Sequence, residues 1–328
     1  PCAFAATKLK IPAGESVTVT SILGHASDLE TFTTQIDKIV RKKSFALKQR
    51  KHANELIDDI TKRVSSDTSN RIFDDYVRQD MLDNVLRGGL PIQLGENEKK
   101  TFHVYSRIHG DLERDYNNFL IDTTYFSQGP GNFRDVNQNR RLDSLHSPEI
   151  GDFNIRNFLS FVQYDGYNPL TVASTNFKIK AEHVSDVGKL LGIEELTDNY
   201  KLILGNSYRP GQLFKDLQNT GLQLGSDDNK AQILDKIMDY SEQVFAAAFA
   251  QNGFWSDHWS YTLDLVDSYL AVYPDKKESM LWDSEPVPFY FSPAYVKPRS
   301  ERYVLADDPS KPGQQTIVVT MAIESADD

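Results

Sequence analysis

The sequence has 328 residues, with 36 Lys+Arg against 47 Asp+Glu, a formal net charge of −11 and 39% hydrophobic residues. That balance suits two folded domains or one large one and excludes a disordered or collagen-like chain. The longest apolar run, Val244 to Ala250, falls far short of the ~18 residues that cross a bilayer, and the acidity disfavours binding to a phosphate backbone, so neither a membrane nor a nucleic acid is an expected partner.

Cys2 is the one cysteine. It cannot close an internal disulfide and no C-x-x-C spacing is present, which points to a reducing, cytoplasmic location. The chain opens on Pro1 without a basic segment and apolar core, and is expected to be a processed chain or a fragment. Leu9 and Ile11, a turn at Pro12-Ala13-Gly14, then Val17, Val19 and Ile22 read as two strands, too few to bury a core alone. At Ser27 the pattern changes: Ser27 and Glu30 have capping-box spacing, and Leu29, Phe32, Ile36, Ile39 and Val40 repeat at helical intervals. Leu56, Ile57, Ile60 and Val64 predict a second helix. Ile72 to Val85 predict a third that stops at Gly88-Gly89, with the polar stretch 65–70 between them.

From 90 to 128 the reading is mixed, with a strand expected near Phe102 to Tyr105. Phe158, Leu159 and Val162 predict a helix ending near Asp165-Gly166, and Val184 to Leu191 a short one ending before Gly192. Ile233 through Ala248 reads as one amphipathic helix closed by Asn252-Gly253. Trp259, Leu263, Val266 and Leu270 then mark the inner stripe of another, ended by Pro274, and the two are expected to form an antiparallel hairpin. Ala306 to Gln315 reads as a loop, followed by a strand at Thr316 to Ile323.

Three stretches could carry chemistry. In 253–261 (GFWSDHWSY) a carboxylate and an imidazole sit among large aromatics where a helix opens. Sugar rings have apolar faces and polar rims, so Trp255, Asp257, His258 and Trp259 suit a sugar site. The alternative is that Asp257 simply caps the helix and Trp259 lies in the core. The positive end of the helix favours an ionised carboxylate, whereas desolvation among rings favours the protonated acid that proton donation needs. In 128–141 (QGPGNFRDVNQNRR) a Gly-Pro-Gly turn leads into side chains able to bond vicinal hydroxyls, or else into a solvated helix start with its arginines in surface ion pairs. The run 109–117 (HGDLERDYN) is either a salt-bridged surface or a third functional stretch. No histidine has ligand-like spacing, so no metal site is expected, and no nucleophile elbow or phosphate-binding loop is present.

Taken in order, 106–117 (SRIHGDLERDYN), 128–141, 165–169 (DGYNP) and 255–259 (WSDHW) resemble the inverting β-glucan phosphorylases related to cellobiose and laminaribiose phosphorylases, above all their β-1,3-glucan branches, over about residues 10–303. The resemblance implies a mainly α chain. Residues 1–26 are then the end of an N-terminal β-sandwich, 27–89 a helical linker and 90–328 an incomplete (α/α)6 barrel. It also implies reversible phosphorolysis of β-1,3-linked gluco-oligosaccharides to α-glucose 1-phosphate, with Asp257 as general acid and phosphate attacking the opposite face. Arg134 and Asp135 match an Arg-Asp pair that contacts the donor sugar, and Asn139 stands where the disaccharide enzymes have a second acid. No cofactor is implied, inorganic phosphate being a co-substrate. The implied partners are the gluco-oligosaccharide and phosphate or glucose 1-phosphate, with a homodimer in the full-length protein. The family's phosphate pocket lies later in the barrel, so this stretch alone is expected to be inactive. An inverting hydrolase on a similar barrel, with a second carboxylate roughly 6.5–9.5 Å from the acid, and a non-catalytic carbohydrate-binding chain are the competing readings.

Overall fold

A computed structural model describes residues 6–22, 26, 29–40, 42, 44–104, 124, 126–128, 131–163, 166, 168–173, 175–245, 247–248, 257–288, 300, 303–305, 310 and 315–317. The chain is mainly helical with small antiparallel sheets, and it divides into two compact units, 1–63 and 64–328.

In the first unit, Glu15 N–H donates to Pro12 O (3.1 Å), which closes the expected turn, but residues 6–22 form no strand. Alternation becomes a strand only when its backbone groups join a ladder. None of the described residues offers one, and Leu9, Ile11, Val17 and Val19 stay exposed. Two helices follow, α1 (Leu29–Val40) and α2 (Phe45–Thr61), the latter running into a 3-10 turn at Lys62–Val64. Ser27 of the expected capping box lies outside the described residues.

The second unit opens with α3 (Arg71–Gly88). Asn70 Oδ1 caps it by accepting from Ile72 N and Phe73 N, and Gly89 ends it at φ +89°, a conformation that costs glycine least. Then come β1 (Leu90–Leu94), β2 (Lys100–Val104), β3 (Gly131–Asn132), α4 (Phe133–Arg140), α5 (Asp143–His146), α6 (Phe153–Leu159), β4 (Thr171–Val172) and β5 (Asn176–Ile179). After these are α7 (Val184–Leu190), α8 (Asp198–Gly205), α9 (Pro210–Asn219), α10 (Asp227–Asp239), β6 (Ser241–Val244), β7 (Ala247–Ala248), α11 (His258–Val272), α12 (Lys277–Trp282), β8 (Tyr303–Leu305) and β9 (Gln315–Ile317). All pairings are antiparallel: β1-β2, β3-β4-β7, β5-β6 and β8-β9. Among the described residues no helix is long and apolar enough to cross a membrane.

The long helix expected through Ala248 stops at Asp239. Ser241 turns back, donating from Oγ to Ile237 O (2.8 Å), and Ser241–Val244 pairs with β5, Ile179 opposite Ser241 and Asn176 opposite Val244. Val244 and Phe245 continue the helical spacing of α10 by coincidence, while their β-branched and aromatic side chains suit a strand. Two strands therefore stand between α10 and α11, and the expected helical hairpin is not formed. Helix α6 also ends early, at Leu159, where Ser160 Oγ donates to Asn157 O (2.6 Å). The C-terminal strand finds its partner upstream: Ile317 pairs with Tyr303.

Two cores fill this unit. One gathers Phe102 of β2, Phe177 and Ile179 of β5, Phe214 of α9, and Leu234 and Ile237 of α10. The other joins Phe133 and Val136 of α4, Phe158 of α6, and Leu265 and Tyr269 of α11. Helix α4 also meets α3 backbone to backbone. A Cβ at Gly88 would come within 3.0 Å of Asn139 O, and Arg140 Nε donates to Gly88 O (2.8 Å).

The β1–β2 turn closes on one carboxylate. Asp239 Oδ1 accepts from the backbone N–H of Glu96, Asn97 and Glu98 (3.1, 3.0 and 3.1 Å), and Asp239 Oδ2 from Asn97 Nδ2 (2.6 Å). Burial pushes this carboxyl upward, but the bonds to Glu98, Asn97 and Glu96 outweigh it and hold the group below its ordinary 3.8. A depressed carboxylate stabilises the fold above its unfolded value, and the gain is lost as pH falls through the folded value. Asp239→Ala should therefore cost about 1 kcal/mol at pH 7, given solvent screening, and progressively less as pH falls below the ordinary 3.8, as read by urea denaturation.

Candidate functional site

Helix α4 leaves a sheet directly. Gly131 and Asn132 pair with Val172 and Thr171, and Phe133 N–H donates to Leu170 O (2.9 Å). Arg134 Nε then donates to Asp135 Oδ1 (3.2 Å) and Asn132 Nδ2 to Asp135 Oδ2 (3.1 Å), so the buried Asp135 has both oxygens engaged and holds the half-buried guanidinium in place. Asn139 Nδ2 donates back along the helix to Asp135 O (2.7 Å). Of the two readings of this stretch, Arg141 fits the surface pair, lying 3.8 Å from Asp264, while Arg140 is buried.

On α11 the expected inner stripe is displaced by one residue. His258, Thr262, Leu265 and Tyr269 are buried, with the same i, i+4, i+7, i+11 spacing, whereas Trp259 is 40% and Leu263 57% exposed. The polar members of the buried face are satisfied, which removes the penalty that sequence reading assigns them. Thr262 Oγ1 donates to His258 O (3.1 Å) and accepts from Asn137 Nδ2 (3.3 Å). The His258 ring stacks on Phe133, centroids 4.5 Å apart and planes 13° apart, and its Nδ1 bonds Asn168 Oδ1. Burial pushes His258 down to about 4; Asp257 and Asp135 pull upward and Arg134 downward, so all three charges reach the imidazole. At neutral pH the ring is uncharged and Nδ1 carries the proton given to Asn168.

Asp257 precedes α11 but does not cap it. Its backbone is helical (φ −69°, ψ −16°) and its side chain makes no cap bond, although its carbonyl accepts from Ser260 N–H (3.0 Å). The half-buried carboxylate has Oδ1 sealed from solvent and without a hydrogen-bond partner. Trp259 borders the neighbouring loop, its Nε1 lying 3.9 Å from where a Cβ on Gly166 would stand.

The structure thus brings Arg134, Asp135, Asp257 and His258 together around Phe133, with His258 as a core residue rather than a surface contact. Trp255 and the stretch 109–117 lie outside the described residues. Sequence reading missed Asn137, Thr262 and Asn168 as braces; Asn168 sat within the DGYNP stretch, but no local spacing ties it to residue 258. It also missed a second buried imidazole. His103 Nε2 donates to Asp143 Oδ2 (2.9 Å), which also accepts from Asn154 Nδ2 (3.0 Å), while Gln128 Nε2 donates to His103 O (2.9 Å). Burial, aided by Arg140 and opposed by Asp143, pushes His103 down to about 4. Gln128 and Arg140 line a small polar pocket with Asn157, Thr175, Phe161 and Phe245. No grouping of three or more His, Cys, Asp or Glu among the described residues is placed to hold a metal ion.

Compared with protein-family models, curated proteins and solved structures, the chain has no match.

Both imidazoles are less basic when folded than the ordinary 6.5, so the unfolded chain takes up protons first. Their contribution to stability is complete above about 6.5 and is lost as pH falls toward about 4. The urea midpoint should fall between pH 7 and pH 5, before most carboxylates titrate; a flat profile over that interval would show that the rings are not held neutral.

Proposed function

We propose that this chain carries the donor-sugar side of an inverting phosphorylase that converts β-1,3-linked gluco-oligosaccharides and phosphate reversibly to α-glucose 1-phosphate and a shortened chain. One observation carries the reading: a carboxylate, Asp257, has its Oδ1 buried without a partner, and it and the Arg134–Asp135 pair all act electrostatically on one imidazole, that of His258. A buried oxygen left without a donor costs about 1–3 kcal/mol, and a proton or a ligand hydroxyl removes that cost.

In this mechanism the protonated Asp257 carboxyl gives its proton to the glycosidic oxygen as the bond from that oxygen to the anomeric carbon breaks. A phosphate oxygen forms the new bond from the opposite face, which inverts the configuration. In reverse, the Asp257 carboxylate takes the proton of the acceptor hydroxyl. Arg134, aimed by Asp135, donates hydrogen bonds to the sugar's hydroxyls. The exposed Trp259 offers an indole face to the ring's C–H side; Trp255 joins that platform by resemblance alone. Asn139 and His258 act through the helices they hold. The helices of the second unit belong, in this proposal, to an (α/α)6 barrel, and the lone cysteine favours a cytoplasmic setting.

Hydrolysis would need a second carboxylate free to activate water across the sugar. Among the described residues Asp135 has both oxygens hydrogen-bonded, and Asp264 and Asp267 share α11 with Asp257, so these three are poor choices for that base. Incubated with glucose 1-phosphate and a β-1,3-gluco-oligosaccharide, a full-length protein that carries this stretch together with the rest of the barrel should release phosphate and lengthen the oligosaccharide. Asp257→Asn should lower turnover about 10²–10⁴-fold and leave calorimetric sugar affinity within about threefold. Glucose release that ignores phosphate would assign hydrolysis, and sugar binding without turnover a binding module.

A further inference from the structure

The carboxylate of Asp257 has no cap bond, and its Oδ1 no partner, to set its direction. Something else must hold it, because proton transfer requires the acid within hydrogen-bond reach of the leaving oxygen. The adjacent residue is anchored on two sides. His258 lies face to face with Phe133, the first residue of the helix that carries Arg134 and Asp135, and its Nδ1 bonds Asn168 Oδ1. Phe133 is fully buried, Asn168 1% and His258 3% exposed, so none of the three has water as an alternative partner. Phe133 is itself wedged edge-on against Phe158 and Phe161, at 5.0 and 6.4 Å between centroids. The imidazole can slide along Phe133, since stacking constrains the ring's plane more than its position within that plane. The Asn168 bond removes this freedom, because it is directional.

We propose that Asn168 is a positioning residue for the general acid: by fixing the His258 ring on Phe133 it sets the Asp257 carboxyl in register with the Arg134–Asp135 pair. This rests on the phosphorylase reading. Uncharged His258 donates from Nδ1, so its Nε2 is the bare nitrogen, and among the described residues Asn168 selects that tautomer through its side-chain carbonyl oxygen. Asn168→Ala leaves the donor without an acceptor and the ring free to turn, whereas Asn168→Asp keeps an acceptor oxygen at the same place.

The test compares wild type, Asn168→Ala and Asn168→Asp, each as the full-length protein that carries this stretch, in steady-state phosphorolysis, alongside nitrogen-15 spectra of the histidine rings. Wild type should show His258 as the single Nδ1–H tautomer. Asn168→Ala should lose that signature and drop kcat about tenfold or more with KM within about twofold, and Asn168→Asp should recover most of kcat. An unchanged kcat in Asn168→Ala overturns the assignment. So does an equal loss in both variants, which would mark a merely structural residue, and so does an Nε2–H tautomer in active wild type. Full-length wild type with the Nδ1–H tautomer but no turnover with glucose 1-phosphate overturns instead the phosphorylase reading, so the two failures are told apart.

Discussion

The contact between His258 and Phe133 organises the rest of the second unit's site. Each ring begins a helix: Phe133 opens α4 and His258 opens α11. Stacking them nearly parallel at 4.5 Å places the two helix N-termini side by side, and the residues flanking them, Arg134 and Asp135 on one side and Asp257 on the other, are brought together as a consequence. A charged imidazole could not take this position cheaply, because desolvating a cation in an apolar cluster is far more costly than burying the neutral ring. The neutral state of His258 is thus a condition of the geometry.

Helix α4 is braced on every side that matters to this contact. Toward α3 the approach is so close that a Cβ at 88 would stand 3.0 Å from Asn139 O, and the buried Arg140 closes it by bonding the Gly88 carbonyl. Behind, the short β3-β4-β7 sheet delivers the chain into the helix with Phe133 N–H already bonded to Leu170 O. Toward α11, Asn137 reaches Thr262, and Thr262 reaches the carbonyl of His258. Such bracing lets a site keep an unsatisfied group. The orphan oxygen of Asp257 costs about 1–3 kcal/mol, whereas each fully buried phenylalanine in the surrounding core contributes about 1.5–3 kcal/mol, so the cluster of Phe133, Phe158 and Phe161 outweighs it.

How much of this was legible in the sequence depends on how local the cause is. Helix α3 was legible to its ends, because its start and stop are written in adjacent residues: Asn70 caps it and Gly89 takes the positive φ that ends it. The extent of α11 was equally clear, but its inner face was not. Apolarity alone selects Trp259 and Leu263, and only the distant Asn168 and Asn137 make His258 and Thr262 the buried choice. The second half of the supposed helix 233–248 went wrong for the same reason in reverse. Its spacing was helical, but the edge of β5 offered Ser241–Val244 a ladder that no local pattern announces. His103 and Asp143 lie forty positions apart in the chain and meet only because the β1–β2 hairpin and α5 do.

The capping role that the sequence offers the Asp257 side chain is not taken up. A capping side chain reaches the second or third amide of its helix from an extended backbone, and the turn of the chain at that point aims it there. At Asp257 the backbone is already helical, so the side chain projects from the side of the first turn and its carboxylate is released from capping duty. Helix α11 starts without its cap, a loss of about 0.5–2 kcal/mol, and the stacked and hydrogen-bonded His258 one residue later takes over the task of fixing that end. The Asp257 side chain, which stands at the capping position without making the cap bond, is left with an acceptor, Oδ1, facing no donor.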